Sequence, residues 1–160
     1  MAGNMRINWK RLILALVVSL GAGVISWLLT GNSMEMYANI KKPPLSPPGQ
    51  VFPIVWTILF VLMGIASYIV CETRDDDRME ALILYGVQLF VNVGWSVIFF
   101  DFGAFWLAFF WLMLLWVLII FTAGRFFHVN KVAAWMMVPY LLWVTFAAYL
   151  NLAVAIINVK

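Results

Sequence analysis

Apolar residues fall in five long runs, at about 12–29, 51–71, 81–100, 104–124 and 132–159, and almost every charge lies between runs or at the chain ends. At about 1.5 Å per residue each run makes a helix of roughly 27–40 Å, enough to cross a hydrocarbon core near 30 Å. Lipid offers no partner to an unpaired backbone group, and the alternation of barrel strands is absent, so the runs predict helices. The expected fold is an all-α membrane protein. It is one domain, 1–160, a bundle of five transmembrane helices with a structured, proline-rich first loop. Arg6, Lys10 and Arg11 before the first run give it the look of a secretory signal, with Gly21, Ala22 and Gly23 as small residues near its end. The run continues past them to Leu29, longer than a signal core, and reads as a retained helix.

Composition agrees with the pattern: 66% of residues are hydrophobic and 11% charged, against about 45–50% and about 25% in soluble domains. Five spans put the termini on opposite sides. Arg6, Lys10, Arg11, Arg74, Arg78, Arg125 and Lys131 share the side of the N-terminus, and Lys41, Lys42 and Lys160 lie on the other. The positive-inside rule then predicts a cytoplasmic N-terminus and an external first loop. The net charge of +3 forms no basic stripe, so nucleic acid is not an expected partner. A single cysteine, Cys71, excludes an internal disulfide, and a single histidine, His128, excludes a multi-histidine metal site. Both read as bystanders near the ends of different spans. No phosphate loop, zinc signature or Ser–His–Asp set is present. The acidic run 72–80 reads as a solvated turn. Asp101 reads as a cap on the turn at "DFG", with proton acceptance as the alternative.

The first loop, about 30–50, is the long one, and long loops without secondary structure are usually functional or disordered. Five of the six prolines lie at 43, 44, 47, 48 and 53, which argues for a stiff segment, because proline fixes φ. Pro53 falls near the first turn of the second span, where its missing N–H does no harm.

Polar residues within spans are the informative ones, because lipid penalises them. Gln88, Asn92, Trp95 and Phe99 share one face of the third span, with Ser96 beside it. Pro139, Trp143, Ala147 and Asn151 make a four-spaced row in the fifth, and Phe52, Trp56, Phe60 and Gly64 another in the second. Two readings stand for these rows. One is polar glue between helices. The other is an apolar cavity lined by Trp56, Trp95 and Trp143 with a few amides for orientation. Pro139 predicts a kink that widens a cavity or improves packing. Trp106, Trp111 and Trp116, five apart, are expected at lipid or in the interfacial belts. Ala15, Ser19 and Gly23 form a small-residue stripe for close helix contact.

Three stretches carry a resemblance that covers nearly the whole chain: "PPLSPPGQVFPIVWTILFVLMGIA" from Pro43, "QLFVNVGWSVIFF" from Gln88 and "PYLLWVTFAAYLNLAVAIIN" from Pro139. They resemble the TspO family of bacterial tryptophan-rich sensory proteins and mitochondrial translocator proteins (peripheral benzodiazepine receptors). The resemblance implies a bacterial member in the cell membrane, a receptor or sensor with a pocket under the first loop. It implies binding of porphyrins such as protoporphyrin IX, and of isoquinoline-carboxamide or benzodiazepine-type ligands. Protoporphyrin IX would be a ligand or a substrate, and no cofactor is required. The matching pocket residues are Trp56, Trp143, Asn92 and Ala147, with Tyr37, Pro47, Phe60 and Trp95 as further lining. Gln88 joins them from the face it shares with Asn92. Light-dependent porphyrin breakdown has been proposed for bacterial members, and would draw on Trp56 and Trp143. Transport of porphyrins or other hydrophobic molecules is the alternative. The five spans show no inverted repeat and no intramembrane ion pair to support it.

The sterol motif of the fifth helix is missing, because Tyr149 is followed by no base until Lys160. That argues against cholesterol binding. Lys41 and Lys42 either meet a ligand's carboxylates or contact lipid headgroups. Partners are therefore hydrophobic small molecules and lipid. A homodimer is allowed but not demanded, since the third span lacks a GxxxG pair.

Overall fold

The computed structural model describes residues 6–159. The five runs become α1 (Trp9–Leu29), α3 (Val51–Glu72), α4 (Arg78–Ser96), α5 (Phe105–Val129) and α6 (Lys131–Asn158). Among the described residues these are the five helices long and apolar enough to cross a membrane. A seven-residue helix, α2 (Ser33–Asn39), interrupts the first loop. A π-helical turn, Val97–Asp101, extends α4. The sequence pattern signals neither. α2 rests on the π-helical turn, so the first loop is docked on the bundle.

The helices outrun the apolar runs at several ends, because a helix does not stop where hydrophobicity does. α5 continues through Arg125 and His128 to Val129. The loop expected at 125–131 is therefore reduced to Asn130. Its Oδ1 accepts from the amides of Val132 and Ala133 and caps α6, the usual use of asparagine at a helix start. The helix α6 runs through Pro139 unbroken.

α5 packs on α6, α4 on α5, and α3 on both α1 and α6. α1 is peripheral. Only 6% of its most apolar window is buried, against 33–44% in the other four. Two residues of its small-residue stripe, Ser19 and Gly23, make close contacts with α3. Ser19 Oγ donates to the Phe60 carbonyl at 2.7 Å, and Gly23 lies so close to the Phe60 ring that a Cβ would come within 2.8 Å of it.

Two expectations are corrected. Trp111 and Trp116 do not simply face lipid. Trp111 donates to the Val91 carbonyl at 2.7 Å and packs over Gly94, while Trp116 donates to Thr145 Oγ1 at 2.9 Å. A five-residue step rotates 140° around a helix, so three such tryptophans cannot all face outward. Asp101 does not cap the "DFG" turn. It is exposed, and the turn closes through backbone bonds from Phe102 to Val97 and from Ala104 to Ile98. Gly103 there has φ +59°, a conformation glycine reaches without a Cβ penalty.

The acidic turn is solvated, as expected, with two ion pairs at its borders. Arg11 meets Glu72 and Arg125 meets Glu80, each at 2.8 Å. Exposed pairs of this kind contribute little. Lys160, expected on the side opposite the N-terminus, lies outside the described residues.

Candidate ligand site beneath the first loop

Tyr37 of α2 points down into the bundle and is buried. Beneath it lies a cavity of about 20 Å³, walled by Phe52 of α3, Trp95, Phe99 and Phe100 of α4 and its π-helical turn, and Ala147, Leu150, Asn151 and Val154 of α6. Ser46 completes the roof. The rings meet at contact distance: Tyr37–Phe52 centroids are 5.0 Å apart, Trp95–Phe99 5.5 Å and Phe99–Phe100 4.9 Å. The π-helical turn explains how two consecutive phenylalanines reach one cavity. Wider turns shift the register by one residue, and such bulges recur at functional sites.

A polar bond fixes the largest of these rings. Trp95 Nε1 donates to Asn151 Oδ1 at 3.1 Å, and Asn151 Nδ2 donates to the Phe105 carbonyl at 2.9 Å. The indole plane is therefore set by α6 and, through it, by the start of α5.

The other amides do something different. Asn92 Nδ2 donates to the Tyr140 hydroxyl at 2.7 Å, and that hydroxyl donates to Gln88 Oε1 at 2.8 Å. Gln88 Nε2 reaches Met63 Sδ at 3.8 Å. All three polar residues are at most 2% exposed. Gln88 and Asn92 are thus bonded below the cavity and do not line it. Glue and lining were alternatives for these rows; here Gln88 and Asn92 glue, Trp95 lines, and Asn151 does both.

Of the other expected site residues, Tyr37, Trp95 and Ala147 meet at the cavity. Pro47 belongs to its roof through its carbonyl, which accepts from the Tyr37 hydroxyl at 2.7 Å. Burial pushes the Tyr37 phenol pKa up, with Ser46 partly offsetting it, so the phenol stays a donor. Trp56 stands one layer behind, its ring 6.3 Å from Trp95, 6.2 Å from Tyr140 and 5.7 Å from Phe60. Trp143 sits on the far side of Phe52, 5.8 Å away, and its Nε1 is buried without an acceptor. Sequence reasoning set Phe52, Phe99 and Asn151 in the rows without naming them as ligand residues, and left out Ser46, Phe100, Leu150 and Val154 altogether. The last three carry no polar signal, and only the π-helical turn and the pitch of α6 bring them in.

The roof is fastened to α6. Asn158 binds both backbone groups of Lys41: its Nδ2 donates to the carbonyl at 2.8 Å and its Oδ1 accepts from the amide at 2.9 Å. The Tyr149 hydroxyl donates to the Pro44 carbonyl at 2.9 Å. The Lys42 ammonium lies 5.0 Å above the Tyr37 ring and donates to the Ala38 carbonyl at 3.3 Å, which places a cation on the roof. Leu45, next to Pro44, takes φ +68°, a strained conformation flanked by the Tyr149–Pro44 bond and by the Ser46 hydroxyl's bond to the Pro43 carbonyl.

His128 is exposed and Cys71 partly buried. Among the described residues no three His, Cys, Asp or Glu side chains converge on a metal position.

The chain matches the model of the TspO/MBR family over residues 13–157. It is 39% identical over 124 residues to the tryptophan-rich protein TspO of Chlorobaculum tepidum, covering 76% of this chain and 78% of that one. It is 32% identical over 147 residues to the tryptophan-rich sensory protein of Cereibacter sphaeroides, covering 92% and 90%. The human translocator protein is 33% identical over 142 residues, covering 87% and 84%. With five membrane-length apolar helices and relatives of this kind across nearly its full length, the chain is a multi-pass integral membrane protein and belongs to the TspO/MBR family.

Proposed function

We propose that this protein is a membrane receptor or sensor that binds planar aromatic ligands, porphyrins such as protoporphyrin IX foremost, in the cavity beneath the first loop. The observation that carries the reading is the ring of Tyr37, Phe52, Trp95, Phe99 and Phe100 around one cavity, with Trp95 held in plane by Asn151. A flat macrocycle gains about 0.5–1.5 kcal/mol per aromatic contact beyond area burial. Micromolar affinity needs about −8 kcal/mol, so apolar burial by Ala147, Leu150 and Val154 supplies much of the rest. A cavity of about 20 Å³ is far below the roughly 300–1,000 Å³ of ligand sites. Binding therefore has to open the site. The Lys42 ammonium above Tyr37 is the cation that would meet a carboxylate of the ligand once the roof opens. The names of the relatives, sensory protein and translocator protein, fit this reading.

Titration of the purified protein with protoporphyrin IX in the dark tests it. Saturable binding is expected. Ala147→Thr adds atoms to a wall that is 5% exposed, and overpacking of about 1–3 kcal/mol should weaken binding roughly tenfold or more. Unchanged titrations across several ligands would remove Ala147 from the site.

A light-driven reaction of bound porphyrin is a second reading, supported by Trp95 at the wall with Trp56 6.3 Å behind it. Under illumination with oxygen the porphyrin band should fall and a discrete product should appear. Trp56→Phe and Trp143→Phe should each slow that loss. If both variants bleach porphyrin as fast as the native protein, the indoles are not the electron source.

A further inference from the structure

The inner cavity is roofed by the fastened loop, and the Phe52–Trp143 pair separates it from the lipid-facing side. On the loop side Asn158 and Tyr149 tie Lys41 and Pro44 to α6 through three hydrogen bonds. On the other side α3 and α6 leave a groove of about 430 Å³ between them, lined by side chains that include Ile58, Leu62, Leu142, Trp143 and Phe146. Every lining residue is apolar, and both helices are of membrane-crossing length. What reaches this groove comes from the hydrocarbon of the bilayer. Its volume lies within the range of small-molecule sites, about 300–1,000 Å³, which the inner cavity does not approach.

The two spaces share a wall. Trp143 lines the groove, and 5.8 Å away Phe52 lines the inner cavity. On α6, Phe146 belongs to the groove and the next residue, Ala147, to the cavity. The Trp143 indole is held by no hydrogen bond, since its Nε1 has no acceptor. Trp95, by contrast, is bonded to Asn151. Turning Trp143 aside breaks packing alone.

We propose that uncharged planar molecules dissolved in the bilayer enter this protein through the α3–α6 groove and pass Trp143 and Phe52 into the inner cavity, with the loop still fastened. The proposal rests on the inner cavity being the ligand site.

The test uses the full chain in nanodiscs and the dimethyl ester of protoporphyrin IX, which is uncharged and bilayer-soluble. Association and dissociation are followed separately by absorbance. Ile58 and Leu142 are 54% and 65% exposed at the groove, so the double change Ile58→Phe and Leu142→Phe fills it without entering the core. A raised barrier on the route slows both directions alike. The filled variant should associate and dissociate about tenfold more slowly at unchanged Kd. Leu142→Ala, which widens the groove, should speed both, and keeps the test open if the filled variant folds poorly. Asn158→Ala, which removes two of the three bonds holding the loop to α6, should leave both rates as they are. Native rates in the two groove variants, or faster rates in Asn158→Ala, would overturn the proposal and make the loop the entrance. A changed Kd with only dissociation altered would also overturn it, by making the groove the resting place. Failure of the native protein to bind the ester while it binds protoporphyrin IX would overturn the entry route alone; failure to bind either would sink the inner-cavity reading as well. Loss of affinity in Ala147→Thr beside unaffected rates in the groove variants would leave that reading standing without this one.

Discussion

Gly64→Val should detach α1 from the bundle. A Cβ at Gly64 would lie 2.6 Å from Ser19 Oγ, 3.0 Å from Leu16 Cδ2 and 3.2 Å from Leu16 Cα. The last of these is backbone, so no rotamer change relieves it, and the two helices must move apart. Ser19 would then lose its bond to the Phe60 carbonyl and keep only the longer one to the Leu16 carbonyl at 3.3 Å. Overpacking costs about 1–3 kcal/mol and the lost hydrogen bond about 0.5–1.5 kcal/mol more. Together they outweigh the few tenths of a kcal/mol of helix propensity, roughly 0.4, that replacing glycine by β-branched valine recovers. Thermal unfolding in detergent should show a large loss of stability, and proteolysis should release the α1 segment first. Gly21→Val is the matched control, on α1 itself, where nothing lies within 4 Å of an added Cβ. Equal melting of the two variants would mean that the α1–α3 contact is not set by the space at Gly64.

Gly64 also shows what a row of four-spaced residues can and cannot reveal. A step of four advances 400° around a helix, so such a row drifts 40° each time. Along α3, Phe52 faces the inner cavity, Trp56 stands beside Trp95, Phe60 turns toward α1 at Gly23, and Gly64 lies under Ser19. The row that reads as one face is a spiral from ligand cavity to helix interface. Along α6, Pro139 and Trp143 line the groove, whereas Ala147 and Asn151 line the cavity. Hydrophobic runs make the spans legible because the bilayer is a uniform solvent and any long apolar stretch must be a helix in it. Which residue of a row meets which neighbour depends on crossing angles that no single run encodes. The seven residues of α2 are too few to show a period, and that helix owes its place to Tyr37 and the surface beneath it. Gln88 and Asn92 carry the polar signal that marks them as inward. Their partner Tyr140 stands one residue off the row read along α6, so the bond that makes them glue is invisible from either helix alone.

Asn151 is the polar residue in these rows that touches the cavity and also fixes its wall, so its loss should act on both stability and binding. In Asn151→Leu the Trp95 indole N–H, within a residue only 4% exposed, keeps no partner. That should cost about 1–3 kcal/mol and lower the unfolding midpoint. The freed indole can then rotate, so a flat ligand meets a wall that must be ordered at the moment of binding. That cost, about 0.5–1.5 kcal/mol for an immobilised side chain, should weaken porphyrin affinity by up to about tenfold. Trp95→Phe separates this coupling from mere repacking, because phenylalanine keeps an aromatic wall and lacks the donor. In the Trp95→Phe background, Asn151→Leu should cost clearly less than it does alone. Residues sharing a bond couple by about 0.5–3 kcal/mol in such a cycle. Strictly additive costs across the four proteins would show that Asn151 supports the cavity through the Phe105 carbonyl and not through the orientation of Trp95.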